Sequence, residues 1–463
     1  MNKLKIALLG GFMALNAPMA SVFAQNPIAQ TGFTTDPAPM VAGDRLYVFT
    51  GHDEEKADFF WMNDWRLFST TDMVNWTDHG SPAYQCDFKW ADDRSWAAQA
   101  IERNGKFYLY VPVHSKISKG MAIGVAVADK VEGPYKDALG KPLYEDGKWD
   151  HIDPTVMIDN DGQAWIYWGN PKLYSAKLNE DMISLGSEVK VDSPNRYTEG
   201  PWIFHQRQLT KAEKKNKKQF DSSKTSAWGK YFMIYAAGGV PESIAYSEAD
   251  SPQGPWTYVG DIMKQDNFTN SFTNHSGIIE YKGHNYFFYH TGWLPGGGGF
   301  GRSVSVEEFA WNPDGRMPEI KPTKEGVSPI GTLNPFQRTE AETIAFSSGV
   351  RTEWNTKRGD IFVSDIQNGD WTKVREVEFT RSPKSIEVRA ASALQGGMIE
   401  VRLDSLKGQV LTTVNIDRTG GWEEWENSKA QISTKVEGKH DVFFLFKGLK
   451  GCKLFNFDWW KMD

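Results

Sequence analysis

Five glycines divide the first two thirds of the chain at a long, regular interval. Gly43, Gly105, Gly162, Gly229 and Gly283 lie 62, 57, 67 and 54 residues apart, and each opens a run rich in aromatic and β-branched residues. A turn glycine followed by such a run reads as the second half of a β-hairpin. The clearest copy spans residues 151–169. There Thr155-Val156-Met157-Ile158 enters an Asp159-Asn160-Asp161-Gly162 turn, and Ala164-Trp165-Ile166-Tyr167-Trp168 leaves it. A second echo recurs at residues 69–77, 128–135 and 247–257, each a polar turn ending in Asn or Pro beside an aromatic. Units of this length, with about four strands each, are the signature of a β-propeller. Five copies predict five blades.

Beyond Asn334-Pro335-Phe336 the pattern changes. Short alternating segments such as Ile386-Glu387-Val388-Arg389-Ala390 continue to the end, which fits a β-sandwich of the jelly-roll kind. The expected fold is all-β: a five-bladed β-propeller over residues 25–335, then a β-sandwich over residues 336–463. Residues 1–24 read as a signal peptide. Lys3 and Lys5 precede an apolar run over residues 6–15, and Val22-Phe23-Ala24 fits the small-residue cleavage rule. No Cys follows to carry a lipid anchor, and no later run is long enough to span a bilayer. The mature protein is therefore expected to be exported, periplasmic or extracellular, without a membrane span, and monomeric. Cys86 and Cys452 are expected to be free and buried.

A formal net charge of −7, with no long basic block outside residues 211–224, argues against a nucleic-acid partner. That lysine-rich stretch reads as a solvated insertion in the fourth unit. Gly296-Gly297-Gly298-Gly299 lacks the Lys-Ser/Thr and the helix of a phosphate loop; it reads as a place where backbones approach closely.

The chemistry lies just before the first strand of each hairpin. The five units place there Asp36-Pro37, Trp96-Ala97-Ala98-Gln99, Asp153-Pro154, Glu199-Gly200-Pro201 and His275-Ser276-Gly277. Innermost strands line a propeller's channel and start at one mouth, so these residues should face one another. Each alone has an ordinary structural reading: Asp-Pro is a common turn opener, and His275 could fill the channel. Asp36, Asp153 and Glu199 at matching positions of three blades are harder to explain structurally, because crowded carboxylates raise one another's pKa. Glycoside hydrolysis uses such a set: one carboxylate activates water, one acid protonates the leaving oxygen, and a third holds up the acid's pKa. Arg302 could neutralise the acids or grip substrate, and Trp90 and Trp96 could stack on a sugar face.

At these residues the sequence resembles glycoside hydrolase family 43 over roughly residues 30–330. The matching motifs are Thr35-Asp36-Pro37-Ala38-Pro39, His151-Ile152-Asp153-Pro154 with its Asp-Asn-Asp-Gly turn, Tyr197-Thr198-Glu199-Gly200-Pro201, Asn274-His275-Ser276-Gly277 and Arg302. The resemblance implies a five-bladed propeller and an inverting glycosidase acting on β-xylosyl or α-L-arabinofuranosyl linkages. In it Asp36 is the general base, Asp153 the pKa modulator and Glu199 the general acid, with His275 and Arg302 in the channel and the sugar pocket. Trp96-Ala97-Ala98-Gln99 departs from the family's usual Trp-Ala-Pro-Asp. The C-terminal part resembles carbohydrate-binding module family 6 through Glu340-Ala341-Glu342, Asn368-Gly369-Asp370-Trp371, residues 419–425 and Phe455-Asn456-Phe457-Asp458-Trp459. That likeness implies sugar contacts from Trp422 and Asn456, although Asp365 stands where a second aromatic is common. It also brings Glu340, Glu342 and Asp458 together, a set suited to a structural calcium ion. No cofactor is expected for catalysis.

The expected partner is a plant cell-wall polysaccharide or oligosaccharide such as xylan or arabinoxylan, trimmed from its ends or branches. Two alternatives stand beside this reading: a non-catalytic glycan-binding protein of an exported polysaccharide-utilisation system, and an endo-acting arabinanase. Trp61-Met62-Asn63-Asp64 resembles the nucleophile motif of the retaining fructan-cleaving propellers, but Trp65 replaces the proline and no Arg-Asp-Pro partner occurs.

Overall fold

The structure, a computed structural model, describes residues 25–265, 268–355 and 357–463. The expected signal peptide lies outside the described residues. Among them the regular secondary structure is strand, apart from two short 3-10 turns at Gln85–Asp87 and Glu213–Lys215. No described helix is long and apolar enough to cross a membrane.

Residues 35–309 form five antiparallel sheets in sequence order. Their first two strands are Thr35–Ala42 with Arg45–Gly51, Gln99–Arg103 with Lys106–Ser115, Thr155–Ile158 with Ala164–Trp168, Tyr197–His205 with Tyr231–Ala237, and Gly277–Tyr281 with His284–Thr291. Gly43, Gly105, Gly162, Gly229 and Gly283 each precede the second strand of a sheet, and all five take positive φ, between 60° and 85°. The repeat seen in the sequence is thus the hairpin at the head of every sheet. In the third sheet the Gly162 N–H donates to Asp159 O at 2.8 Å and Ile158 pairs with Ala164, as the Asp-Asn-Asp-Gly turn predicts.

The first strand of the first sheet packs beside those of the second and fifth, and that of the third packs beside those of the second and fourth. Chain ends close the set. Ile28 N–H donates to Val304 O at 2.8 Å, and Asn26 Oδ1 accepts from Val306 N–H at 2.9 Å, so the segment after residue 24 borders the last strand of the fifth sheet. Second strands are buried on both faces, as in Tyr231–Ala237, because neighbouring sheets cover each side. This explains why they read as unbroken apolar runs instead of alternating ones.

Residues 339–462 form two facing sheets. One orders Arg351–Trp354, Ile361–Ser364, Asn456–Met462, Ser385–Ala391 and Glu426–Gln431; the other orders Phe346–Ser348, Trp371–Phe379, Gly438–Lys447, Gly397–Leu403 and Val410–Ile416. Val363, Val388, Phe457 and Trp460 from the first meet Val374, Phe444 and Phe446 from the second in a separate core. The two halves are interlaced. Strand Thr343–Ile344 pairs back onto Trp76–Asp78 of the first sheet, while Glu378 N–H donates to Leu333 O at 2.9 Å on the other side of residue 336. Asn75 and Arg375 exchange two hydrogen bonds across the contact, at 2.8 and 2.9 Å.

Both cysteines are free, as expected, but Cys86 is exposed and Cys452 only half-buried. Cys86 sits in a 3-10 turn that buries none of its residues, so the small thiol has no core to enter.

Candidate active site

Asp36, Asp153, Glu199 and His275 line one cavity of about 470 Å³, together with Trp96 and Arg302. The backbone explains the aim of two of them. Asp36 and Asp153 hold φ of 49° and 57°, a left-handed conformation uncommon outside glycine. Each precedes a proline, whose ring fixes the φ of the next residue at about −65°. Gly200, at φ 61°, is required beside Glu199: a Cβ there would lie 2.9 Å from His275 Nδ1. The four-glycine run serves the same wall, since a Cβ on Gly299 would overlap the ring of Phe272, which lines the cavity.

The electrostatics separate the acids. Burial alone would raise Asp36, but the Arg302 guanidinium and the His290 ring outweigh it and hold the carboxyl well below the usual range. Arg302 Nη1 lies 3.3 Å from Asp36 Oδ1, and the Thr35 hydroxyl donates to the same oxygen at 2.9 Å. Arg302 is itself fixed by Asp53, through Nε and Nη2 at 2.9 Å each, and lies 4.9 Å from the Phe60 ring. Asp153 goes the other way. Burial, then the charges of Glu199 and Asp36, push it well above the carboxylate range, against one N–H from Gly200 at 3.0 Å. Glu199 is also raised, by burial first and by Asp36, although the Asn170 amide hydrogen-bonds its Oε2. The site therefore sets one carboxylate held toward its ionised form against acids shifted toward their protonated form, the division that acid–base hydrolysis needs. His275 is pushed down to about 4, by burial before any neighbour, so it faces the cavity as a neutral ring.

Other expected residues fall elsewhere. Trp90 is buried in the core against Phe88, with Nε1 donating to Asp137 Oδ2 at 3.0 Å; it does not line the cavity, because the Gly124 strand packs directly on it. Gln99, at the matching position of the second unit, bonds Val156 through both its backbone groups and so ties the second sheet to the third. Asp64, of the Trp61-Met62-Asn63-Asp64 segment, is held by His52 at 2.8 Å and by Ser81, outside the cavity. In the sandwich, Asn456 is buried and its Nδ2 donates to Trp422 O at 2.7 Å, so it supports Trp422 from behind; Lys453 Nζ lies 5.0 Å from the Trp422 ring.

Glu340, Glu342 and Asp458 do not assemble into a ligand set. Asp458 gives both oxygens to the Arg358 guanidinium, with Arg389 Nε a further 3.5 Å away, and Glu340 pairs with Arg338 at 2.8 Å. Glu342 is buried, and its Oε2 has no hydrogen-bond partner. Among the described residues no group of three His, Cys, Asp or Glu side chains is placed to hold a metal ion. Arg358 thus takes the Asp458 oxygens that the calcium expectation assigns to the ion.

Among the groups that escaped the sequence reading are Asn170, Glu242 and Phe60 on the cavity wall and Asp53 behind Arg302. All four stand in loops between the second and third strands of their sheets. In an antiparallel meander that loop lies at the same end as the start of the first strand. A search of both positions in every unit would have found them.

Residues 24–210 and 224–317 match Glycosyl hydrolases family 43, and residues 340–463 match Carbohydrate binding module (family 6). The break at 211–223 coincides with the lysine-rich stretch. An arabinoxylan arabinofuranohydrolase of Bacillus subtilis (strain 168) is 32% identical over 94% of this chain and 92% of its own length. One of Paenibacillus polymyxa is 31% identical over 97% of this chain and 76% of its own length. The crystal structure of a family 43 arabinoxylan arabinofuranohydrolase from Bacillus subtilis, in complex with cellotetraose, superposes with a TM-score of 0.79 at 29% identity, covering 95% of this chain and 98% of that one. With three acids in one cavity and these likenesses across its length, the chain belongs to glycosyl hydrolase family 43, as a glycosidase carrying a C-terminal family 6 carbohydrate-binding module.

Proposed function

We propose that this glycosidase removes terminal or branching pentosyl residues from arabinoxylan, α-L-arabinofuranosyl in first place and β-xylosyl in second, with inversion at the anomeric carbon. The observation that carries the reading is the opposed electrostatics of Asp36 and Glu199 in one cavity. Asp36, ionised, takes a proton from the water that attacks the anomeric carbon. Glu199, protonated, gives its proton to the departing oxygen. Burial and the charge of Asp36 favour the protonated form of Glu199, and Asp153 fixes the neighbouring loop through the Gly200 N–H. Arg302 holds Asp36 ionised, while Trp96 and His275 offer the sugar a ring face and a neutral imidazole. On this reading the five sheets are the blades of a five-bladed propeller, and the cavity is the mouth of its channel.

Arabinofuranose takes first place because two relatives above 30% identity, matching more than nine tenths of this chain, are named for its removal from arabinoxylan. Xylosidase-named relatives match about two thirds of it, or 92% of it at only 23% identity. The chain is exported, with cleavage after Ala24; mass spectrometry of the mature N-terminus tests this. Aryl α-L-arabinofuranoside, aryl β-xyloside and arabinoxylan, assayed side by side, test the substrate. NMR of the first-formed anomer tests inversion, and a retained anomer overturns the assignment of Asp36. Sugar binding without turnover on every substrate would favour the glycan-receptor alternative.

A further inference from the structure

Glu242 is a fourth acid on the cavity wall that the mechanism above does not use. It is 1% exposed and lines the same cavity as Glu199 and Arg302. Three hydrogen bonds to one neighbouring segment hold it in place. Its N–H donates to Phe272 O at 3.0 Å, its carbonyl accepts from Asn274 Nδ2 at 2.6 Å, and its Oε2 accepts from the Asn274 N–H at 2.7 Å. One carboxyl oxygen is thereby committed to protein, and the side chain cannot swing out to water. The other oxygen is left for whatever fills the cavity.

We propose that Glu242 is a substrate-binding acid whose free carboxyl oxygen donates its O–H to a hydroxyl of the bound sugar. The surroundings favour the neutral form. Burial, then the charge of Glu199, push Glu242 up to about 9 despite the Asn274 N–H. Besides Glu242, the charged or titratable groups lining this cavity are Asp36, Asp150, Asp153, Glu199, His275 and Arg302, and Arg302 is already matched by Asp36 and Asp53. A second free carboxylate would have no counterion. A neutral acid offers what its charged form cannot, a donor aimed at a hydroxyl oxygen. Sites built to hydrogen-bond a hydroxyl reject the analogue lacking it, because the buried polar group is then left unpaired.

This proposal rests on the pentoside reading, and its test separates the two. Wild type, Glu242→Gln and Glu242→Leu are assayed with aryl pentosides and with each monodeoxy analogue. For one hydroxyl position, wild type and Glu242→Gln should reject the deoxy analogue by at least tenfold in kcat/KM, since the amide is also a donor. Glu242→Leu should show a raised KM and almost no rejection. A merely structural brace would lower activity equally on parent and deoxy substrates. An active Glu242→Leu enzyme that discriminates as wild type does at every position overturns the proposal. So does a Glu242→Gln enzyme as inactive as Glu199→Gln. Should the leucine variant not fold, calorimetry of L-arabinose and D-xylose binding decides. Wild-type affinity should fall as pH passes about 9 while that of Glu242→Gln stays level, and a level wild-type profile overturns the proposal. A wild type that binds pentoses but hydrolyses no pentoside defeats the functional reading while leaving this arm intact.

Discussion

The molecule gathers carboxylates in two places, and treats them in opposite ways. Around the cavity, Asp36, Asp153, Glu199 and Glu242 share a single arginine, which Asp53 also claims. In the sandwich, Arg358 meets Asp458 in a two-point contact while also pairing with Asp360, Arg389 lies near Asp458, and Glu340 has Arg338; Glu342, buried with Oε2 unpartnered, is the exception and is pushed above the carboxylate range. Both clusters look alike in the sequence, as acids brought together from distant positions. Their difference lies in the counterions. Where arginines match the acids, charge is neutralised and the cluster holds structure together. Where they do not, protons must make up the shortfall, and groups that hold protons near neutral pH can exchange them with a substrate.

The sharpest way to break this comparison is to neutralise one acid from each cluster. Asp36→Asn is expected to cost about 10²–10⁴-fold in turnover with the fold retained, as loss of a general base does. Asp458→Asn should leave turnover on aryl glycosides unchanged. An Asp36→Asn enzyme with near wild-type turnover would remove the cavity's claim to chemistry. Glu199→Gln should lose about as much on arabinoxylan, where the departing sugar needs a proton, and far less on aryl glycosides with acidic phenols. Equal losses on both would mean that Glu199 is not the proton donor.

Stability should show the reverse order. Arg358→Ala leaves the Asp458 carboxylate, 1% exposed, without its main partner. Removing one member of such a pair costs about 3 kcal/mol or more, toward the lower end where Arg389 remains close. Urea denaturation should register this in the sandwich without altering kcat. The cavity acids respond to pH instead. Asp153, Glu199 and Glu242 are raised on folding, so their contribution is fully present below the unfolded value of about 4. It is lost as pH rises through the folded values, about 9 for Glu242. Melting curves should therefore show Glu242→Gln gaining on wild type between pH 5 and pH 9. A constant difference over that window would mean that Glu242 titrates normally. The smallest expected effect is none: with Arg358 on Asp458, EDTA should leave the melting temperature unchanged. A drop restored by calcium would show that the arginine is displaced by the ion.

Much of this was legible from residue order. The turn glycines located every hairpin, and the positions before the first strands yielded Asp36, Asp153, Glu199 and His275, all of which reach the cavity. Arg302 was legible as well, through its likeness to a family motif. Glu242 was not, because Val240-Pro241-Glu242-Ser243 looks like any connecting turn until the meander returns it to the mouth. Trp90 failed in the other direction: an indole suited to stacking on sugar is equally suited to a core, and only its neighbours Phe88 and Gly124 decide.

By itself the sequence determined the local and the periodic: where strands turn, how many hairpins there are, and which acids stand at matching places. These follow from backbone preferences and side-chain patterning, which act over a few residues. Tertiary structure alone decided which acids keep their protons, which are cancelled by arginine, and which connecting loops join the site. Those outcomes depend on burial and on charges a few ångströms apart in space, between residues as distant in the chain as Asp36 and Arg302.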